Sequence, residues 1–449
     1  MTHHDDATND KNLLTSWKEI AAYLGRDVRT CLRWEKNFGL PIHRLDPASE
    51  KSRVFAYKDE LSEWLRQSET SKPHVHGVYG QPSRRLLVLS VLFFVIGAAT
   101  VVLFLFIRDE LSPKEPADFS IRGSALAILN DKSKVLWRYD TGLENLSSEE
   151  TYREHFQFKR RNRTVHLPYL LIKDINHDGR REVLFSLQSQ DEAREGVVLC
   201  FDRKGRSLWQ FRAGRQMKYG DKIYSGDYRI NGILAEDLDA DGDLEILVVS
   251  AQRPDWPCQL ALLDSGGNIK GEFWNAGYFN DLACVDLNAD GVKEIVAGGN
   301  NNEYGRACLA VLDSAAVKGG SPQEKPEFRC PNLDRGSELF YLLLPRTDVD
   351  LADNYPVDAV VSVELLSNQR MQVKTHLANI YYDFSFNFDS PELIIGHGFI
   401  IAHEKALKEG KIRSTLNNEY KSNLLKGIRY WDGSKWSSPP AMNRGWKKE

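Results

Sequence analysis

The chain has 449 residues, a length that suits two or three domains. Hydrophobic residues make up 42% and charged residues 27%, which excludes a disordered chain. Lys and Arg number 59 against 63 Asp and Glu, a net charge of −4, so any nucleic-acid surface must be local; a mean hydropathy of −0.44 excludes a multi-span transporter.

The first predicted domain covers about 13–67. In TSWKEIAAYLGRDVRTCLRWEKNFGLP, Thr15 or Ser16 can cap a helix that buries Ile20, Ala21 and Leu24. Gly25-Arg26-Asp27 breaks it, and a second helix runs from about Val28 to Phe38 before Gly39 and Pro41. Two short helices joined by a tight turn make a helix-turn-helix. IHRL and RVFAY, around the polar turn DPASEKS, predict a hairpin wing, and KDELSEWL a third helix. Trp17, Trp34 and Trp64 suit the core of so small a domain. The second helix puts Arg29, Thr30, Arg33 and Lys36 on a common face; Arg26 precedes it, and the wing adds Arg44, Lys51 and Arg53. Between 26 and 53 there are seven basic and four acidic residues. Side chains of this kind contact phosphates, and Arg reads guanine in the major groove, so duplex DNA is the expected partner.

A polar linker (68–85) with Pro73, Gly77 and Pro82 leads to LLVLSVLFFVIGAATVVLFLFI (86–107), 22 residues without a charge. At roughly 1.5 Å per residue they reach about 33 Å, enough for a bilayer core of about 30 Å. Arg84 and Arg85 flank one side, and Arg108, Asp109 and Glu110 the other, which favours a cytoplasmic N-terminus. Residues 108–118, with Pro113 and Pro116, read as a second tether.

The last predicted domain, 119–449, carries an internal repeat. LIKDINHDGRREVLFS, LAEDLDADGDLEILVVS and LACVDLNADGVKEIVAG each run from an apolar strand through D-x-[DN]-x-D-G-x-x-E into another apolar strand. The oxygen-bearing sets are Asp174, Asn176, Asp178 and Glu182; Asp237, Asp239, Asp241 and Glu245; and Asp286, Asn288, Asp290 and Glu294. Side-chain oxygens at positions 1, 3 and 5 converge when the loop winds tightly, and Gly at position 6 takes the sharp turn. A carbonyl at position 7 and the acid at position 9 complete a shell suited to Ca2+, so about three sites are expected. An EF-hand closes at position 12 between helices, and these loops close at 9 between strands. DLADNYPVD (350–358) reads as a degenerate fourth copy that keeps the strand geometry and not the ion, because Ala352 and Tyr355 replace a ligand and the Gly.

A second repeat alternates with the first: SALAILNDKSKVLWRYD, GVVLCFDRKGRSLWQFR, CQLALLDSGGNIKGEFW and ACLAVLDSAAVKGG each predict a hairpin. One loop hairpin and one of these make four strands, the size of a propeller blade, and 119–449 holds about five to seven. GIRYWDGSKWS predicts a last hairpin, or a strand pair that closes the ring with the first. The six Cys (31, 200, 258, 284, 308, 330) show no CxxC or zinc spacing and read as buried free thiols. His397, His403 and Glu404 do not make HExxH, KRRNR (159–163) reads as a solvated loop, and no GxSxG or P-loop occurs, so no enzyme is expected.

Residues 16–44 (SWKEIAAYLGRDVRTCLRWEKNFGLPIHR) followed by VFAYKDELSEWL resemble the winged helix of the mercury-resistance-regulator (MerR) and excisionase type. The resemblance implies that the second helix enters the major groove and the wing touches the backbone. The coiled coil usual in that family is replaced here by the apolar segment, which leaves open where a homodimer would form. The loops over 170–360 resemble FG-GAP/VCBS repeats of integrin-α-type β-propellers, and LWRYD and LWQFR resemble quinoprotein propeller repeats. That implies calcium held in blade loops and an unknown protein or glycan ligand on one face. In layout the whole is similar to membrane-anchored one-component regulators of the ToxR type. The fold class is therefore multidomain: a small α+β winged helix-turn-helix, one transmembrane α-helix and an all-β propeller. The expected function is a single-pass regulator, of a bacterial inner membrane, with DNA reader inside and calcium-binding propeller outside. An envelope adhesion protein with a secondary winged helix, or an extracytoplasmic propeller enzyme, are the competing expectations.

Overall fold

The computed structural model describes residues 12–45, 53–70, 115–156, 167–189, 196–252, 256–375 and 379–438. The chain divides into two compact units, Met1–Asp109 and Glu110–Glu449. The apolar segment 86–107, Lys51 and the KRRNR run lie outside the described residues. Among the described residues no helix is long and apolar enough to cross a membrane.

In the smaller unit, strand β1 (Leu13–Leu14) precedes helix α1 (Trp17–Leu24). The Ser16 hydroxyl accepts the Glu19 amide at the start of α1, and Gly25 ends it in the left-handed region (φ 62°). Helix α2 (Val28–Phe38) starts on Asp27, whose carboxylate accepts the Thr30 amide at 2.9 Å, and stops at Gly39 (φ 64°). Strand β2 (His43–Arg44) pairs with β3 (Val54–Tyr57), which also pairs with β1, and helix α3 (Lys58–Thr70) follows. Ile20, Ala21, Cys31, Ala56 and Leu61 form the core, with Trp17, Trp34 and Trp64 packed on it. The Trp64 indole donates to the Phe38 carbonyl at 3.1 Å and fixes the end of α2 against α3.

The larger unit is mostly β and resembles propeller folds. Its first sheet has three antiparallel strands, β4 (Asp118–Arg122), β5 (Ala125–Leu129) and β6 (Val135–Asp140). Helix α4 (Glu149–Phe156) comes next. Strands β7 (Leu170–Lys173), β8 (Glu182–Ser186), β9 (Val197–Phe201) and β10 (Ser207–Arg212) form a four-stranded meander. A small hairpin, β11 (Met217–Tyr219) and β12 (Lys222–Tyr224), leads into a second meander. That sheet is β13 (Tyr228–Glu236), β14 (Glu245–Gln252), β15 (Cys258–Leu263) and β16 (Ile269–Asn275). A third sheet contains β17 (Phe279–Val285), β18 (Glu294–Asn301), β19 (Arg306–Leu312) and β20 (Glu338–Leu343). After helix α5 (Asp348–Ala352) come β21 (Val360–Leu366), β22 (Arg370–Thr375), β23 (Ile380–Ser385) and β24 (Glu392–Ile395), then helices α6 (His397–Lys408) and α7 (Asn418–Lys426). The final hairpin, β25 (Arg429–Trp431) and β26 (Trp436–Ser437), pairs with β20.

Sheets pack face to face, which explains why β14 (EILVVSAQ) and β15 (CQLALL) are apolar on both sides of the pleat. The first strands run in series: β13 packs on β7 and β17, and β17 on β21. On the outer strands a tryptophan locks each of two junctions. The Trp137 indole donates to the Arg203 carbonyl at 3.1 Å and Trp209 to that of Ser265 at 3.0 Å. Each ring lies against a glycine of the neighbouring turn: a Cβ at Gly205 or Gly267 would come within 2.7 and 2.5 Å of it.

The structure departs from the sequence expectations at five places. The last unit is not all-β, because α4, α5, α6 and α7 punctuate it. DLADNYPVD does not keep strand geometry: Thr347 and Asp350 form a reciprocal capping box that starts α5. ACLAVLDSAAVKGG gives one strand and not a hairpin, and β19 pairs with β20 across the 313–337 insertion. The C-terminal hairpin extends the third sheet and does not join the first. Residues 115–118 are packed and not tether: Glu115 pairs with Arg203 at 3.2 Å and accepts the Arg181 amide at 2.9 Å.

Candidate metal centre and basic helix face

The three acidic loops share one backbone. Position 4 is left-handed in each (His177 φ 54°, Ala240 φ 61°, Ala289 φ 63°), as is the glycine at position 6 (79°, 97°, 89°). The first carboxylate turns inward onto the loop, accepting the amide of Gly179, Gly242 or Gly291 at 2.8, 3.2 and 2.9 Å. Glu182, Glu245 and Glu294 reach back to the amides of Ile175, Leu238 and Leu287 at 3.1, 3.1 and 2.8 Å. These glutamates open the strands that leave the loops and are buried. Adjacent loops are joined by backbone hydrogen bonds. The Leu244 amide donates to Ile175 and the Lys293 amide to Leu238, both at 2.8 Å.

Charge balance separates the loops. Asp237, Asp239 and Glu245 each place an oxygen within 4.8 Å of the others, the one such cluster among the described residues. Asp237 Oδ1 is buried with no hydrogen-bond partner. Lys270 enters this loop from β16, its ammonium 2.8 Å from Glu245 Oε1 and 3.7 Å from Asp239 Oδ2. Asp241 lies outside the cluster and accepts the Asp243 amide at 2.8 Å. In the two flanking loops Asn176 and Asn288 stand at position 3, and their acids do not close to this spacing. Burial, with Asp178 and Asp174 beside it, pushes Glu182 up to about 7. Burial, with Asp290 and Asp286, does the same to Glu294. An oxygen-only donor set with surplus negative charge suits a hard cation.

In the smaller unit Arg29, Arg33 and Lys36 lie exposed along one face of α2, and Arg26 and Arg53 are exposed beside it. Thr30 is half-buried, and its hydroxyl donates to the Asp27 carboxylate at 2.8 Å. Arg44 is held by Glu35 at 2.8 Å. Three of the expected contacts therefore share a free face, and two serve local structure. His403 is buried in α6, facing Ser414 Oγ at 3.2 Å; Ser414 and Tyr420 both donate to Asp348. That network ties α5, α6 and α7 together. The cysteines are free, and burial raises the thiols of Cys258 and Cys308 to about 12, where they stay protonated. Sequence reasoning missed Lys270, because 25 residues separate it from Glu245.

No protein-family model and no curated protein matches the chain. Among solved structures, it is similar to a protein of unknown function from Bacteroides caccae at 13% identity, over 63% of this chain and 74% of that one, with a TM-score of 0.28. The Dos1 propeller follows at 10% identity, over 60% and 63%, TM-score 0.29. BamB from Moraxella catarrhalis stands at 7% identity, over 62% and 70%, TM-score 0.26. Likenesses this distant carry no residue-level argument, and the sheet architecture rests on this chain's own strand pairing.

Proposed function

We propose that the chain is a membrane-anchored DNA-binding transcriptional regulator whose propeller lies across the membrane as a sensor or interaction domain. The observation that carries this reading is the row Arg29, Arg33 and Lys36, exposed on a helix whose two ends are capped and whose other face is locked into a core. Such a row presents cations to phosphates and Arg to base edges at helical spacing. The apolar segment 86–107 would anchor the reader, with the propeller outside. No catalytic step is needed: a change in association in the membrane would alter how two readers sit on paired half-sites.

In this reading the propeller loops take calcium through Asp174, Asn176, Asp178 and Glu182, through Asp286, Asn288, Asp290 and Glu294, and through Asp237, Asp239, Asp241 and Glu245. The ion supplies positive charge that relieves carboxylate repulsion and fixes the loops.

Recovery of crosslinked genomic DNA with the full-length protein, followed by binding to the recovered duplexes at graded salt, tests the reader. Affinity should fall steeply with salt. Arg33→Ala should weaken a specific site by roughly 1–3 kcal/mol. Equal, salt-insensitive binding by both proteins would refute the proposal. A phosphatase fused after residue 110 should be active only outside the cytoplasm.

A further inference from the structure

One run of hydrogen bonds passes through all three acidic loops. At position 2 of the first loop the Ile175 amide donates to that loop's closing acid, Glu182, while the Ile175 carbonyl accepts the Leu244 amide of the second loop. Leu244 directly precedes the second closing acid, Glu245, which accepts the Leu238 amide. The Leu238 carbonyl in turn accepts the amide of Lys293, the neighbour of the third closing acid, Glu294. Ile175 is 1% exposed and Leu238 2%, so the run is shielded from water. An ion pair doubles the second junction: Lys293 Nζ lies 2.6 Å from Glu236, which adjoins Asp237. In the first loop the position-8 amide, that of Arg181, donates to Glu115 at 2.9 Å. The Arg181 guanidinium also donates to the Pro116 carbonyl at 3.3 Å, and Arg203 pairs with Glu115. Glu115 and Pro116 are the first residues described after the apolar segment 86–107.

We propose that the loops act as one calcium-coupled array whose end grips the chain where it enters the larger unit, so that an ion bound at any loop is felt at Glu115. The array presupposes that the loops take calcium, and it deepens the sensor reading by naming what an ion changes. An ion orders its own loop by drawing the carboxylates inward. The position-2 peptide is planar and rigid, so fixing its N–H against the closing acid also fixes its carbonyl, and with it the position-8 residue of the next loop. Part of the next loop's ordering cost is then already met, and a later ion binds more tightly. In a buried, low-dielectric setting the bonds of such a run also polarise one another. At Arg181 the run ends on Glu115, so an occupied first loop holds Glu115 and Pro116 more firmly than an empty one.

Calcium titration of chelator-stripped, full-length protein in detergent, read by calorimetry and by hydrogen exchange at residues 115–122, tests this. Binding should be cooperative, and calcium should slow exchange at 115–122 by about fivefold or more, the low end for coupled sites. Lys293→Met keeps every ligand and deletes the pair to Glu236; it should keep the ion count and lower the cooperativity. Asp286→Ala, two loops from Glu115, should weaken the ions at the remaining loops about fivefold and reduce the protection of 115–122. Glu115→Ala should leave the ions and their cooperativity intact and abolish the calcium effect on 115–122. If Lys293→Met fails to fold, Asp286→Ala carries the coupling test. The absence of any bound ion would remove the calcium reading and the array with it. Ions that bind independently, or exchange at 115–122 indifferent to bound calcium, would overturn the array alone.

Discussion

The second acidic loop and its two neighbours have the same backbone and different electrostatics. In the second, Lys270 sits among the acids and three carboxylates close within 4.8 Å. In the first and third no lysine pairs with the closing glutamate among the described residues, and that glutamate is driven toward its protonated form. A buried carboxylate needs a cation or a proton, and a lysine, a metal ion and a protonated acid are three answers to one demand. The motif fixes the loop; the residue that reaches in from the outer strand decides which answer is taken.

The largest test of that comparison is removal of metal. A site held at 100 times its dissociation constant stabilises by about 2.7 kcal/mol, so chelation should lower the melting temperature by several degrees. Asp174→Ala and Asp286→Ala should each remove one bound ion by calorimetry. A melting curve indifferent to calcium would end the metal reading of all three loops. In chelator-stripped protein, burial raises Glu182 and Glu294 from the 4.5 of a free glutamate to about 7, so the fold holds protons that the unfolded chain gives up. Their contribution is full below pH 4.5 and is lost as pH rises through about 7. The stripped protein should therefore melt lower at pH 8 than at pH 5, with calcium restoring the difference. A flat profile would place the charge balance elsewhere.

Lys270→Met sharpens the contrast by deleting the internal cation. Calcium affinity at the second loop should rise about tenfold, because an ammonium 2.8 Å from Glu245 competes for the same oxygens. An unchanged titration would mean the lysine swings aside at no cost. The smallest effect belongs to Asp350→Ala. It should leave the ion count unchanged and cost about 1 kcal/mol in a denaturant melt, the worth of a helix cap. Loss of an ion there would make this stretch a working fourth site.

Local features were readable from sequence and distant ones were not. Ser16, Asp27, Gly25 and Gly39 mark α1 and α2 because caps act within a turn. The D-x-[DN]-x-D-G-x-x-E loops were visible for the same reason: every group that shapes them lies within nine residues. Asp350 misled because an acid followed by turn residues reads equally as a ligand or as a cap. Lys270 and the β19–β20 pairing across the insertion join residues far apart in sequence, where spacing carries no signal. For the basic face, helical spacing nominated Thr30 alongside Arg29, Arg33 and Lys36, and the wing added Arg44; only three dimensions show Arg44 engaged with Glu35 and Thr30 with Asp27.

The return of the C-terminal hairpin to β20 bears on how the molecule avoids sticking to copies of itself. An outermost strand with unpaired amides and carbonyls is a template for strand addition from another chain. β20 is six residues long and buried throughout, an adhesive edge if bare. β25 covers part of it, and the border of that sheet passes to β26, two residues carrying Trp436, whose indole donates to the Tyr304 hydroxyl at 3.1 Å. Some eighty residues after β20 the chain returns as a guard strand, so a chain truncated before Arg429 would leave the buried, apolar β20 as an open border for aggregation.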